Sequence, residues 1–432
     1  MKPLFFNKLL AVIIICMLSI PLSSKAYSVL THEAVVDASW EKSIKPLLKQ
    51  KYPGITEEQL KDAHAYAYGG AIAPDMGYFP FGSHFFTNLV HYVRSGDFVS
   101  ALLNEAQDAN EYAFALGFLC HYNADRYGHF LGTNRAVPIV YPEMKEKFGD
   151  LVTYEENRIS HSRMEFAFDV LETAKGNYAS KEYHDFIGFQ VSQPVLERAF
   201  LKTYGLNIND LFSSLPLAIS TFRWSVNSLF PKLTKAAWAI KKDEILKSQP
   251  TATSRSFSYK MQRANYKHEF GEDRQKIGIF PSILSVVIRV LPKVGPLKSL
   301  KFKAPGPEAE KIFIRSFDTV IANCASSMQT LAGLQQGENI RLPNVDFDTG
   351  QETAPGEYQL ANINYGNLLL KLQDKKYEHL TPELKQDLIN YCSDPKATST
   401  ATRKSRKEKQ KIYAALEELK KADIPAAKLG TD

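Results

Sequence analysis

Asp108-Ala-Asn-Glu-Tyr112-Ala-Phe114-Ala115-Leu116-Gly-Phe118-Leu119-Cys120-His121-Tyr-Asn-Ala-Asp125-Arg126-Tyr-Gly-His129 is the stretch on which the reading of this chain turns. Asp108 offers an N-cap oxygen, and the residues after it predict a helix over 109–131. Tyr112, Phe114, Ala115, Leu116, Phe118 and Leu119 spread apolar surface around most of that helix, which predicts a central, buried element. Its second half carries His121, Asp125 and His129. Positions i, i+4 and i+8 share one helical face with only slow drift, so these three project together. A second stretch, His161-Ser-Arg163-Met-Glu165, repeats the four-residue spacing. Imidazole plus carboxylate is a ligand set that zinc accepts at neutral pH, so the pattern predicts a metal site. Cys120 is rotated about 100° from His121 and is read as core.

Around this stretch the chain reads as helix after helix. Residues 33–51 have helical spacing and stop before Pro53-Gly54. Thr56 followed by Glu57 and Glu58 starts another helix, which runs toward Gly69-Gly70. Residues 71–83 are punctuated by glycine and proline and read as loop, and 131–153 as loop with short elements. Helices are predicted over 154–175, 181–204, 208–229 and 307–336. Alternating β-branched runs are missing, so the expected class is all-α. Near residue 240 the character changes: 241–275 is polar, 276–298 is an apolar stretch between Pro281, Pro292 and Pro296, and 337–360 is loop-like. The expected organisation is therefore a domain over 27–240 and a mostly helical region over 241–432. A basic run at 396–412, including Arg403, Lys404, Arg406 and Lys407, reads as a solvated helix face.

The first 26 residues read as a targeting segment. Lys2 and Lys8 precede an apolar run from Leu9 to Leu18, and Ser24-Lys25-Ala26 fits a cleavage site before Tyr27. Ile15 before Cys16 makes a poor lipoprotein signal, so the mature chain is expected to be secreted or periplasmic. No later run reaches the roughly 20 uncharged apolar residues of a spanning helix. Three cysteines remain beyond Cys16, too few for a disulfide scaffold. The net charge of +6 in 432 residues is mild and does not by itself argue for nucleic acid.

Seven of the ten histidines lie between His32 and His161. In order, the metal-binding candidates are His32, Asp75, His84, His91, His121, Asp125, His129, His161 and Glu165; His64 is read as a helix-surface or core residue. Ala-Pro-Asp75, Gly-Ser-His84-Phe-Phe, His121-x3-Asp125-x3-His129 and His161-x3-Glu165 together resemble the zinc-dependent phospholipase C superfamily. That superfamily includes bacterial phospholipases C, the N-terminal domain of glycosylphosphatidylinositol-specific phospholipase D, and the single-strand zinc nucleases. The resemblance is good over 27–170 and extends toward 240.

The resemblance implies an all-α domain of the phospholipase C/nuclease type holding up to three Zn²⁺ ions. Carried over, one ion takes Asp75, His84, His121 and Asp125, and a second takes His129, His161 and Glu165. A third takes His32, the new amino group and carbonyl of Tyr27, and Asp125 as a bridge. Tyr27 departs from the family's usual first residue, tryptophan, but main-chain atoms do the binding. His91, in the setting Val90-His91-Tyr92-Val93 of the nuclease branch, rivals His84, which is preferred. Asp75 is the candidate general base for a metal-activated water. The expected activity is phospholipase C-type hydrolysis of a phospholipid at a membrane surface. The alternatives are a zinc nuclease acting on nucleic acid, a phospholipase D-type cut, or a zinc-stabilised binding protein without turnover. The apolar residues 276–291 are a candidate membrane-docking segment but fit a buried helix better. Arg126 and Arg163 are expected to turn away from the metal. Oligomeric state is not readable from the sequence.

Overall fold

Asp108 does cap the decisive helix: its carboxylate accepts the Asn110 and Glu111 backbone N–H groups at 2.9 and 2.8 Å, a contribution of about 1 kcal/mol. In the computed structural model, which describes residues 28–179, 181–248, 301–335, 338–398 and 403–424, this helix runs Ala109–Gly128. Every residue from Glu111 to Asp125 is buried, as its all-round apolar surface requires. The remaining elements are arranged around it. Ahead of it come α1 (Val29–Ser39), a π-turn (Trp40–Ile44), α2 (Lys45–Lys51), α3 (Glu57–Ile72), a 3-10 segment (Ala73–Tyr78), α4 (His84–Tyr92) and α5 (Ser95–Glu105). The decisive helix is α6. It passes into a π-turn (His129–Thr133), followed by α7 (Asn134–Val140), α8 (Pro142–Phe148), α9 (Arg158–Lys175), α10 (Lys181–Ile187), α11 (Gln193–Tyr204), α12 (Leu215–Trp224) and α13 (Phe230–Ser248). Beyond residue 300 come α14 (Pro307–Gly333), α15 (Gln359–Asp374), α16 (Pro382–Ser393) and α17 (Arg403–Lys421). Among the described residues there is no strand; one isolated antiparallel bridge pairs Val345 with Glu352. The fold is all-α, as expected.

Local chemistry sets the helix ends. Thr56 and Gln59 form a reciprocal capping box at the start of α3. Ser83 caps α4 and Asn157 caps α9. Gly176 (φ +71°) and Gly205 (φ +62°) end α9 and α11 in the left-handed conformation that side chains resist. The expected loop at 71–83 is half helical, because α3 continues to Ile72 and the 3-10 turn follows without a break. The expected loop at 131–153 contains two short helices, and the single helix expected over 181–204 is two, α10 and α11, separated at Gly188 (φ +88°).

Two glycines bring α3 and α6 together. A Cβ on Gly117 would lie 2.0 Å from the Ala67 carbonyl oxygen, and one on Gly70 would lie 1.9 Å from that of Phe114. Only hydrogen at these positions allows so close a backbone approach. It puts the Ala71 carbonyl within reach of His121.

The expected division at residue 240 is not where the core divides. α14 packs against α1, α6, α7 and the π-turn after α6, and Phe168 stacks on Phe313 at 4.2 Å. Buried residues from Val29 to Leu419 form one hydrophobic core. Cys120, turned off the metal face as expected, is buried, as is Cys324 of α14. Loop 338–358 lies over α4 and α6, held by Tyr122 Oη to the Pro343 carbonyl (2.9 Å) and Phe347 N–H to the His91 carbonyl (3.2 Å). The leader 1–26, Tyr27 and the apolar stretch 276–291 fall outside the described residues.

Candidate metal centre

α6 delivers His121 and Asp125 to the middle of the molecule, and the π-turn that starts at His129 widens the helix where that side chain must turn inward. Asp125 is the hub. Its Oδ2 lies 3.0 Å from His121 Nε2 and 3.5 Å from His91 Nε2; its Oδ1 lies 3.5 Å from His32 Nε2 and 3.9 Å from His129 Nε2. Around it the side chains fall into three convergent groups: His32, His121 and Asp125; Asp75, His91 and His121; and His129, His161 and Glu165. Within each group one ligand-type atom per residue lies within 4.8 Å of the others. The three groups draw on α1, the 3-10 segment, α4, α6, the π-turn after it and α9.

Each of four imidazoles has its far nitrogen fixed by an acceptor. His121 Nδ1–H donates to the Ala71 carbonyl and His91 Nδ1–H to that of Thr87, both at 2.8 Å. His129 Nδ1–H donates to Asp348 Oδ1 at 3.2 Å. His161 Nε2–H donates to Asn134 Oδ1 at 2.8 Å, and the Asn134 amide in turn donates to the Asp348 carbonyl at 2.7 Å, which settles that amide's orientation. In every case the proton is held outside and the lone pair points into the cluster, the tautomer that a metal requires.

The donor set also fits a cation on electrostatic grounds. His121 Nε2, both Asp125 oxygens and both Glu165 oxygens are buried and make no hydrogen bond, which is costly unless an ion meets them. Burial pushes Asp125 up to about 8, the Asp348 carboxylate adding to it and His129 opposing it. Burial also drives Glu165 well above the usual carboxylate range, with Asp125, Asp75 and Asp348 adding repulsion. Burial lowers His121. A site that disfavours both its anions and its imidazolium is complementary to divalent cations and to neutral histidines.

His84 is not brought to this cluster. It sits exposed at the first position of α4, its ring 5.4 Å from Tyr78, whereas His91, two helical turns on, is fully buried with Nε2 3.4 Å from Asp75 Oδ1. The physical reason is axial displacement: seven residues apart, the two share a face of α4, but position 84 opens the helix about 10 Å along the axis from His91, at its exposed end. His64 also stays outside, stacked on Trp40 at 3.9 Å and 3.4 Å from Asp37. Arg126 turns away as expected, donating to Tyr122 Oη at 3.3 Å.

Three contributors escaped the sequence reading. Asp169 accepts the Leu30 and Thr31 N–H groups (3.1 and 3.0 Å) and the Thr31 hydroxyl (2.8 Å), tying down the first turn of α1 and so His32. Its position was visible, since His161-x3-Glu165-x3-Asp169 continues one helical stripe. Asn134 and Asp348 gave no such signal: one follows a π-turn and the other lies in a Gly/Pro loop.

Residues 31–213 match the family model described as zinc dependent phospholipase C. No curated protein and no solved structure matches the chain.

Proposed function

We propose that this chain, which through residues 31–213 belongs to the zinc-dependent phospholipase C superfamily, hydrolyses a phospholipid phosphodiester at a membrane surface. The observation that carries the reading is the convergence of eight buried side chains, His32, Asp75, His91, His121, Asp125, His129, His161 and Glu165, into three contiguous donor groups. Such a set would hold up to three zinc ions, the Asp125 carboxylate lying near His91 and His129 as well as in its own group. The amino group of Tyr27 remains the proposed extra donor beside His32. Zinc, when bound, supplies Lewis-acid charge for the phosphate oxygens and lowers the pKa of water.

The chain's own residues do the rest. Asp75 is the member of the set with most solvent contact, at 6 %, so substrate and water reach the centre on its side. There its carboxylate is placed to take a proton from the attacking water. The outer N–H groups of His91, His121, His129 and His161 are engaged by fixed acceptors, which aims their inner nitrogens into the centre.

An apolar patch on the segment that follows Asp75 in the chain supports a lipid substrate. The segment after the 3-10 turn presents Phe81, 56 % exposed and held at φ +63°, a backbone region that bulky residues avoid. Thr221 of α12 donates to the Pro80 carbonyl at 2.7 Å. Leu217 and Trp224, 43 % and 51 % exposed, lie on the same stripe of α12 as Thr221. An exposed Phe, Leu and Trp around one contact point suits the membrane interface. Export of the chain, proposed from its first 26 residues, agrees with an extracellular or periplasmic lipid. No helix among the described residues is long and apolar enough to cross a membrane.

One observation favours a second reading, a single-strand zinc nuclease: the histidine at the cluster is His91, whose Val-His-Tyr-Val setting resembles that branch. Metal analysis followed by a release assay on phosphatidylcholine, an inositol lipid and single-stranded nucleic acid decides between them. Bound zinc with diacylglycerol release supports the phospholipase; cleavage of nucleic acid alone overturns it. Zinc binding without turnover on any of the three points to the binding protein.

A further inference from the structure

We propose that Asp348 is a positioning residue for the metal centre, so that the metal-binding unit includes loop 338–358 as well as the family-matched span. The inference rests on reading the buried cluster as a zinc centre. Asp348 lies far outside residues 31–213, yet it reaches two of the three ligands in one group. Its Oδ1 accepts the His129 Nδ1–H at 3.2 Å. Its main-chain carbonyl accepts the Asn134 amide at 2.7 Å, and Asn134 Oδ1 accepts the His161 Nε2–H at 2.8 Å. One residue therefore sets the ring orientation and tautomer of both His129 and His161, whose inner nitrogens lie 3.5 and 2.9 Å from Glu165 Oε1.

The carboxylate is itself held rigidly. Tyr92 donates to Oδ2 at 3.0 Å and Tyr358 donates to the same oxygen. Phe347 packs on the His91 and His121 rings, with centroids at 5.1 and 5.9 Å. The loop thus presses on both halves of the cluster: its Asp348 carboxylate meets the His129 ring, and its Phe347 N–H meets the main-chain carbonyl of His91. A carboxylate behind a ligating imidazole raises the basicity of its lone pair and fixes its aim.

The test uses the full mature chain, cobalt as a spectroscopic probe, and zinc affinity measured by chelator competition. Asp348→Asn keeps the size and removes the charge. It should weaken one class of bound ion by about 10–100-fold, alter only that site's cobalt absorption, and leave the ions held by His32, His91 and His121 in place. Asn134→Ala should weaken the same class. Tyr358→Phe removes a donor to the same carboxylate without touching His129, and should keep zinc affinity near wild type. If Asp348→Asn and Asn134→Ala both retain wild-type affinity and spectra, the inference is overturned. If Tyr358→Phe loses as much affinity as Asp348→Asn, loop anchoring explains the effect and the inference also fails. Absence of bound metal in the wild-type chain would instead remove the functional reading on which it rests.

Discussion

Replacing Asp125 by asparagine should have opposite effects on the metal-free and metal-loaded protein. In the metal-free fold burial raises this carboxyl from 3.8 to about 8. A raised carboxyl favours the fold fully below the unfolded pKa, and that advantage is lost as pH rises toward the folded pKa. The loss is about 1.4 kcal/mol per pH unit. Relative to an uncharged amide of the same shape, the wild-type side chain therefore costs nothing below about pH 3, about 2 kcal/mol at pH 5 and about 4 kcal/mol at pH 7. The lowered His121 imidazole adds a loss on the acid side, below its unfolded value, so the comparison is made at pH 5 and above. Urea unfolding of chelator-stripped proteins at pH 5, 6.5 and 8 measures this directly. The stripped Asp125→Asn variant should be the more stable, by a margin that grows with pH. With zinc added the order should reverse, because the amide cannot bridge cations. Equal stability of the two stripped proteins at pH 8 would refute the claim that the cluster is an anionic centre lacking compensation without metal.

Other outcomes follow from the same geometry. His91→Ala should lose bound zinc and activity while His84→Ala keeps its zinc, as read by metal analysis of the purified variants; the converse would restore His84 to the centre. His121→Ala should abolish metal retention and turnover together, since it belongs to two of the three donor groups; full turnover in that variant would remove the hydrolase reading. Gly117→Ala sets a methyl against the Ala67 carbonyl and should destabilise the fold by about 1–3 kcal/mol or more, measured by urea midpoint. One extra residue before Tyr27 in the mature chain should lower zinc stoichiometry; unchanged stoichiometry would count against an N-terminal donor. Leu217→Ala with Trp224→Ala should reduce binding to phosphatidylcholine vesicles while leaving hydrolysis of a short-chain soluble lipid intact.

What was legible in the sequence was whatever repeats at helical spacing. His121, Asp125 and His129 announce their shared face because one helix fixes their relation, and so do His161 and Glu165. The all-round apolar character of 109–119 likewise identified the buried central helix. The choice between His84 and His91 was not legible, because seven residues apart they share one face of α4, and which turn of that face reaches the cluster is decided by packing. The Ser-His-Phe motif pulled toward the wrong turn of the helix. Asp348 was hidden for a different reason: a loop residue has no periodicity, and its partners lie more than two hundred positions away. The expected break at 240 reflected a change in composition, but α14 returns its apolar face to α6 and keeps the core continuous.

The glycine pair at positions 70 and 117 and the caps on α3 and α6 all fall within residues 56–128, so the central pair of helices can form early. Asp348 cannot take part until much later. At ~5–20 residues per second, roughly 10–40 s of synthesis separate the emergence of Glu165 from that of Asp348. During that interval a nascent chain carries the histidines and acids but lacks the loop that aims two of them. On the proposed role of Asp348, the group formed by His129, His161 and Glu165 would reach its full affinity for an ion only in the finished polypeptide, and a chain terminated before residue 348 would hold these side chains without their aim.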